Sequence, residues 1–230
     1  MQQILQQTRE FVKKYHQKDT SGHDFSHLER VYKNVDFILK TEPSADVFVV
    51  KMSALLHDVD DHKFGGDGKR AETFLKTLPL SAKTVCRILE TIQESSFASS
   101  GSNPEFKTLE QAILSDADKL DAMGAIGISR TILFGGAFGI TLFDACSFPK
   151  DDLTQAEYKN LFREGNSSIN HFFDKLLKLK KAMRTKSGRA EAEKREKIMI
   201  DFLRCFFAEQ NLADWLEYLE KYLQKETVDA

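Results

Sequence analysis

Three short stretches of the chain carry residue types that could bind a metal and work on a phosphate ester. His27 stands in GHDFSHLERVYKN, His57 and Asp58 close VFVVKMSALLHD, and Asp116, Asp118 and Asp121 are spread through LSDADKLDAMGAIG. Imidazole nitrogen and carboxylate oxygen both suit borderline divalent ions. Two neutral imidazoles and two carboxylates leave two negative charges, which one divalent ion neutralises. Four protein ligands around a six-coordinate ion leave room for water and a phosphate oxygen, and a divalent ion acidifies such a water toward neutrality. Each motif alone has a plainer explanation. An HD dipeptide is often a buried His–Asp pair, SHLERV a polar helix start, and DADKLD a solvated acidic turn. Their joint occurrence, in this order and on expected helices, points to a metal-dependent phosphohydrolase.

Further groups stand near these residues. Asp61 follows His57 by four residues and Asp58 by three, so a continuing helix would put it on their face. That makes it the candidate general acid or base. Its alternative is a solvated helix end. Arg30, Lys63, Lys69 and Lys119 lie close in sequence to the ligands and could meet phosphate charge. Asp121, one turn after Asp118, could orient a ligand from behind. In SSINHFFDKLLKLKK, a helix capped by Ser167 or Ser168 would set His171, Lys175 and Lys178 at one-turn steps, as a substrate-binding arm or as a solvated basic face with His171 packed. Arg189 and Arg195 are further candidates.

The elements that must position these residues are helical. Leu28, Val31, Val35, Ile38 and Leu39 recur at three- and four-residue steps, as do Val85, Ile88, Leu89 and Ile92. The pattern predicts helices at about 2–18, 26–41, 45–60, 69–77, 81–95, 107–133, 154–163, 168–183, 187–208 and 211–226. Asp24 or Ser26 could cap the helix that carries His27. HKFGGDGK (62–69), SSFASSGSNPEF (95–106) and FGGAFGITLFDACSFPKDD (134–152) break the pattern. The last is long enough to be a lid or a binding loop.

The bulk composition narrows the classes. The chain has 230 residues, 41% of them hydrophobic, and a net charge of -2, which argues against a nucleic-acid polymer as partner. Cys86, Cys146 and Cys205 form no paired motif, so reduced, buried thiols in the cytoplasm are expected. No apolar run matches a signal peptide or a membrane span.

The motifs HLERV, LLHDVDDHKF and LSDADKLDAMGAIGISRT resemble those of the HD-domain metal-dependent phosphohydrolases, in their stand-alone bacterial, YpgQ-like branch. The similarity continues through SSINHFFDKLLKLKKAMRTKSGRAEAEKR. It implies an all-α fold: an HD-domain helical bundle with additional C-terminal helices. One domain would span 1–230, with an HD core at about 20–133, a loop or lid at about 134–152 and a C-terminal helical part at about 153–227. The family pattern assigns the metal to His27, His57, Asp58 and Asp118. Spacing alone leaves Asp116 and Asp118 equal, and the motif selects Asp118. Dinuclear members carry further histidines between the HD pair and the last Asp. Only His62 falls there, so a single ion is expected, with Mn²⁺ first and Mg²⁺, Co²⁺, Ni²⁺, Fe²⁺ and Zn²⁺ as alternatives. The activity implied is cleavage of nucleoside or deoxynucleoside triphosphates to monophosphate and pyrophosphate. Alternatives are a nucleoside 5'-monophosphate phosphatase, a guanosine-alarmone hydrolase (HDVDDH partly echoes HDxxED) and a metal-containing nucleotide sensor. The expected partner is a small phosphate ester, with no membrane; a homodimer is left open.

Overall fold

The computed structural model describes the chain except for residues 17–18, 20–21, 62–67, 96–105, 150–166 and 229–230. His62, Lys63, the helix expected at 154–163 and the last residues of the 134–152 segment therefore lie outside the described residues. Among the described residues the regular secondary structure is wholly helical, as the patterning requires. None of these helices is long and apolar enough to cross a membrane. The chain forms two compact units, Met1–Asp121 with Ala182–Ala190, and Ala122–Lys181 with Glu191–Ala230.

The first unit is built around α3 (Val47–Leu56), which touches α1 (Gln2–His16), α2 (Phe25–Leu39), α5 (Ala82–Ser95) and α6 (Leu109–Asp121). Val49, Val50, Met52, Ser53, Ala54, Leu55 and Leu56 are all buried, so α3 is apolar nearly all round, as a core helix must be. Its polar Ser53 hydroxyl is satisfied by the Ile88 carbonyl at 3.3 Å. The short α4 (Arg70–Leu75) adds Ala71 and Leu75 to the same core. α2 buries Leu28, Val31, Val35 and Ile38 on one face and shares it with His27 and Asn34. The Asn34 amide donates to the Ala117 carbonyl at 2.9 Å, which ties α2 to α6 beside the acidic motif.

Helix ends set the positions of the chemistry. Asp24 caps α2 by accepting the His27 N–H at 2.9 Å. α3 is shorter than the expected 45–60: it ends at Leu56, and the chain turns through Val59 N–H to Leu56 O and Asp61 N–H to Asp58 O. Asp60 explains the stop, since its two oxygens accept the Arg70 and Ala71 N–H groups at 2.9 and 3.1 Å. The helix expected at 107–133 is two helices, α6 and α7 (Gly124–Phe138). Between them Met123 is extended, and Gly124 takes φ 68°, which L side chains rarely adopt.

In the second unit, residues 134–138 complete α7, so the expected loop begins only at Gly139. Its described part is tied down. The Ser168 and Ile169 N–H groups donate to the Thr141 and Leu142 carbonyls at 2.9 and 3.1 Å. The buried Trp215 indole donates to Ala145 O at 3.0 Å and stacks on Phe148, with ring centroids 4.3 Å apart. The helix expected at 168–183 is interrupted: α8 spans Asn170–Asp174, Lys175 leaves helical geometry at φ -140°, and a 3₁₀ turn covers Leu176–Lys178. His171, Lys175 and Lys178 therefore do not line one helical face. The C-terminal helices α9 (Lys186–Glu209) and α10 (Ala213–Val228) match expectation.

The start of α3 is held by Asp46. Its Oδ1 accepts the Phe48 and Val49 N–H groups at 3.1 and 3.2 Å, and its Oδ2 accepts Arg87 at 2.7 Å. Partial burial opposes this carboxylate's charge, but the Val49 N–H and the Arg87 guanidinium outweigh it and hold its pKa below the ordinary range. Asp46→Ala is expected to cost about 1–2 kcal/mol in urea unfolding at pH 7. Because the folded-state pKa is the lower one, this contribution is complete above the unfolded value of about 4 and fades as pH falls through the folded one. A wild-type-to-variant gap that does not narrow in acid would contradict the cap's charge.

Candidate metal centre

α2, α3 and α6 each deliver a ligand-type side chain to one point in the first unit. His27 Nε2 lies 3.3 Å from His57 Nε2, 3.3 Å from Asp58 Oδ2 and 3.5 Å from Asp118 Oδ1. His57 Nε2 lies 3.4 Å from Asp58 Oδ1 and 3.8 Å from Asp118 Oδ1. His27, His57 and Asp118 offer atoms that all fall within 4.8 Å of one another. Adjacent ligands of a six-coordinate ion at about 2.1 Å stand roughly 3 Å apart, so this spacing suits one shared cation.

The hydrogen bonds behind the rings strengthen the fit. His57 Nδ1 sits 2.9 Å from the Ala54 carbonyl, an acceptor only, so this nitrogen carries the proton. His27 Nδ1 sits 2.7 Å from Asp121 Oδ2, which calls for the same tautomer. Both Nε2 atoms then point lone pairs at each other and at two carboxylates, with no proton to share. A cation is what such a donor set lacks. Asp121 also takes the Arg30 fork, Nε to Oδ1 at 2.7 Å and Nη2 to Oδ2 at 3.1 Å. Asp121, expected to orient a ligand, thus holds His27 and Arg30 together.

Burial works against the Asp58 charge; protonated imidazoles, His57 first, then His27 and His23, would hold its carboxyl well below the usual range, and with the rings neutral that stabilising positive charge falls to a bound cation. Asp118 and Asp116, two residues apart, separate cleanly. Asp118 faces the two imidazoles, whereas both Asp116 oxygens accept N–H groups of residues 184 and 185. Lys119 is only 5% exposed; its ammonium bonds the Ser115 hydroxyl and lies 5.6 Å from the Phe106 ring centre. Asp61 follows the turn after α3, so helical spacing no longer carries it onto the His57 face. His171 and Lys175 belong to the second unit. Burial, and after it the Lys175 cation, pushes His171 down to about 3, so it is uncharged at neutral pH.

Two histidines without an assigned role also stand here. The His23 ring centre is 5.7 Å from that of His27, and buried His16 meets the His23 carbonyl through Nδ1 at 2.9 Å. Burial lowers the His16 pKa and favours its neutral form. The GHDFSH spacing was the available signal for His23; nothing local signals His16.

The HD domain family model matches residues 24–123, the stretch that supplies every residue of this cluster. The protein YpgQ of Bacillus subtilis is 32% identical over 204 residues, covering 86% of this chain and 90% of its own length. The chain belongs to the HD-domain metal-dependent phosphohydrolases. Solved structures agree with that membership. An HD-superfamily hydrolase of Bacillus thuringiensis, 34% identical, superposes with a TM-score of 0.70 over 91% of this chain and 98% of its own. A Lactobacillus plantarum protein, 31% identical, reaches a TM-score of 0.79 over 92% and 98%. YpgQ has been crystallised in complex with ADP; that structure is 28% identical, with a TM-score of 0.68 over 89% and 97%. HD domains bind a divalent metal, and in this HD hydrolase His27, His57 and Asp118 form the group that could hold it.

Asp121→Asn should leave the fold intact while weakening the orientation and basicity of His27. Titration calorimetry with Mn²⁺ is expected to show affinity reduced about 10–100-fold. Unchanged affinity would mean that the Asp121–His27 bond does not support the metal.

Proposed function

We propose that this HD hydrolase is a nucleotide pyrophosphohydrolase, converting nucleoside or deoxynucleoside triphosphates to monophosphate and pyrophosphate. The supporting observation is that YpgQ, a relative aligned over most of both chains, has been crystallised in complex with ADP; the His–Asp cluster of this chain supplies the metal-binding chemistry that phosphate cleavage needs. His27, His57, Asp58 and Asp118 would hold one divalent ion, Mn²⁺ before the other candidates. When bound, the ion supplies Lewis acidity to the phosphoryl oxygens and acidifies water. The protein's part is orientation and charge. Ala54 and Asp121 keep both imidazoles in the tautomer that presents Nε2. Arg30, already forked on Asp121, and Lys119 are the proposed phosphate partners in the first unit. Lys63, His171 and Lys175 are candidates of lower rank, His171 only as a neutral donor.

Asp61 is the proposed proton acceptor. Water oxygen bonds to the α-phosphorus, the bond to the bridging oxygen breaks, and pyrophosphate leaves with that electron pair. One water proton passes to Asp61, and the other stays on the new monophosphate or goes to solvent. Support comes from its place three residues beyond Asp58, in a turn closed by the Asp61 N–H on the Asp58 carbonyl at 3.1 Å.

Product analysis across nucleoside mono-, di- and triphosphates with Mn²⁺ tests the reading. Pyrophosphate from triphosphates is expected. Orthophosphate from monophosphates would instead favour the phosphatase, and nucleotide binding without turnover the sensor. His57→Ala and Asp58→Ala should each abolish both bound metal and activity; full occupancy in both variants would refute their assignment. Asp61→Asn should keep the metal and hold KM within a few-fold, while kcat falls by on the order of 10²–10⁴. A near-wild-type kcat with the metal in place would remove Asp61 from the chemistry.

A further inference from the structure

The buried face of α1 ends in a polar residue. Leu5, Thr8, Val12 and His16 form that stripe, and His16 is 0% exposed. Burying an imidazole costs free energy that an apolar side chain would not incur, unless the ring makes a bond that needs it. His16 Nδ1 sits 2.9 Å from the His23 carbonyl, an acceptor only, so that nitrogen donates. From the other side, Asp19 Oδ2 accepts the His23 N–H at 2.7 Å. Gly22, directly before His23, takes φ 89°, which L side chains rarely adopt. Asp24, directly after it, caps α2 by accepting the His27 N–H. The backbone of His23 is thus held at both its polar groups, between two neighbours that are themselves fixed.

What this clamp fixes is a ring at the metal centre. The His23 ring centre lies 5.7 Å from that of His27, with the planes 72° apart, an edge-to-face contact. His27 and His16 are buried, whereas His23 is half-buried. Packing against His27 would be served equally by a phenyl ring. An imidazole adds an N–H that can donate to an anion. An N–H···O bond spans about 2.9 Å, so a phosphate oxygen drawn to the cluster beside His27 comes within reach of the neighbouring ring.

We propose that His23 donates a hydrogen bond to a phosphate oxygen of the substrate, and that His16 is the positioning residue which, through the His23 carbonyl, sets that ring beside His27. The inference rests on the reading of the substrate as a nucleotide polyphosphate, not on which bond is cut.

The test is equilibrium binding of ADP to the full-length, Mn²⁺-loaded protein freed of excess metal, with Mn²⁺ stoichiometry measured alongside. His23→Phe keeps a ring against His27 and removes the donor. It should weaken ADP binding about tenfold, the scale of a hydrogen bond to a charged group, with Mn²⁺ stoichiometry unchanged. His23→Gln, which restores an N–H, should recover part of the loss. Competition by adenosine, which has no phosphate, should be the same in His23→Phe as in wild type. His16→Leu continues the apolar stripe of α1 and removes the bond to the His23 carbonyl; it should also weaken ADP. The combined His16→Leu/His23→Phe variant should bind no worse than the weaker single, because both act through one side chain. Affinity for ADP within twofold of wild type in His23→Phe would overturn the proposal. Loss of Mn²⁺ from that variant, or an equal weakening of adenosine, would overturn the phosphate contact. Effects that multiply in the combined variant would overturn the positioning role of His16, as would a lowered melting temperature with unaltered ADP affinity in His16→Leu. Failure of the pyrophosphohydrolase reading would show separately, as absence of pyrophosphate among wild-type products.

Discussion

The bond between Asp121 and His27 is the constraint on which the metal centre turns. A carboxylate oxygen 2.7 Å from Nδ1 holds the proton on that side of the ring and leaves Nε2 bare. Ala54 does the same for His57 with a backbone carbonyl. Two bare nitrogens and two carboxylates pointed at one another would repel, so the protein has stored at this point an electrostatic demand for a cation. Arg30 meets part of it from outside, by forking onto both Asp121 oxygens. The guanidinium balances the supporting carboxylate, and the inner charge is left for the ion.

That demand is sustained by the packing of the first unit. His57 and Asp58 follow directly on α3, whose apolar surface faces α1, α2, α5 and α6. A helix buried nearly all round from Val49 on has little freedom to rotate or slide, so the residues at its end inherit its precision. α2 brings His27 in its first turn, fixed by the Asp24 cap, and α6 brings Asp118 near its last turn. The Asn34–Ala117 bond locks these two helices beside the centre. Three rigid elements thus share the work of bringing like-charged groups together.

The DxDKxD motif divides its labour over one and a half helical turns. Asp118 faces the imidazoles, Asp121 supports His27 from behind, and Asp116 looks away to the start of α9. Lys119 lies among them, buried beneath Ser115 and Phe106. Successive residues on a helix point about 100° apart, so a short acidic run serves several partners at once.

The sequence by itself determined the helical class, the HD family and the set of side chains at the centre. Apolar periodicity is a local property, and the order His, His-Asp, Asp is specific enough to survive ignorance of the fold. Asp24 was legible as a cap for the same reason. Spacing could not choose between Asp116 and Asp118, because both sit on one helix and the choice depends on Thr185, far along the chain. It ran α3 past Leu56, because the commitment of Asp60 to the Arg70 and Ala71 N–H groups is not written in local propensity. It joined α6 to α7 across Gly124, whose left-handed backbone is seen only once the chain is folded. His171 read as part of a substrate-binding arm, but the arm is broken at Lys175 and burial favours the neutral imidazole. Local pattern reports what a residue is able to do; its partners, its exposure and its charge state are set by segments distant in sequence, and only the tertiary structure decides them.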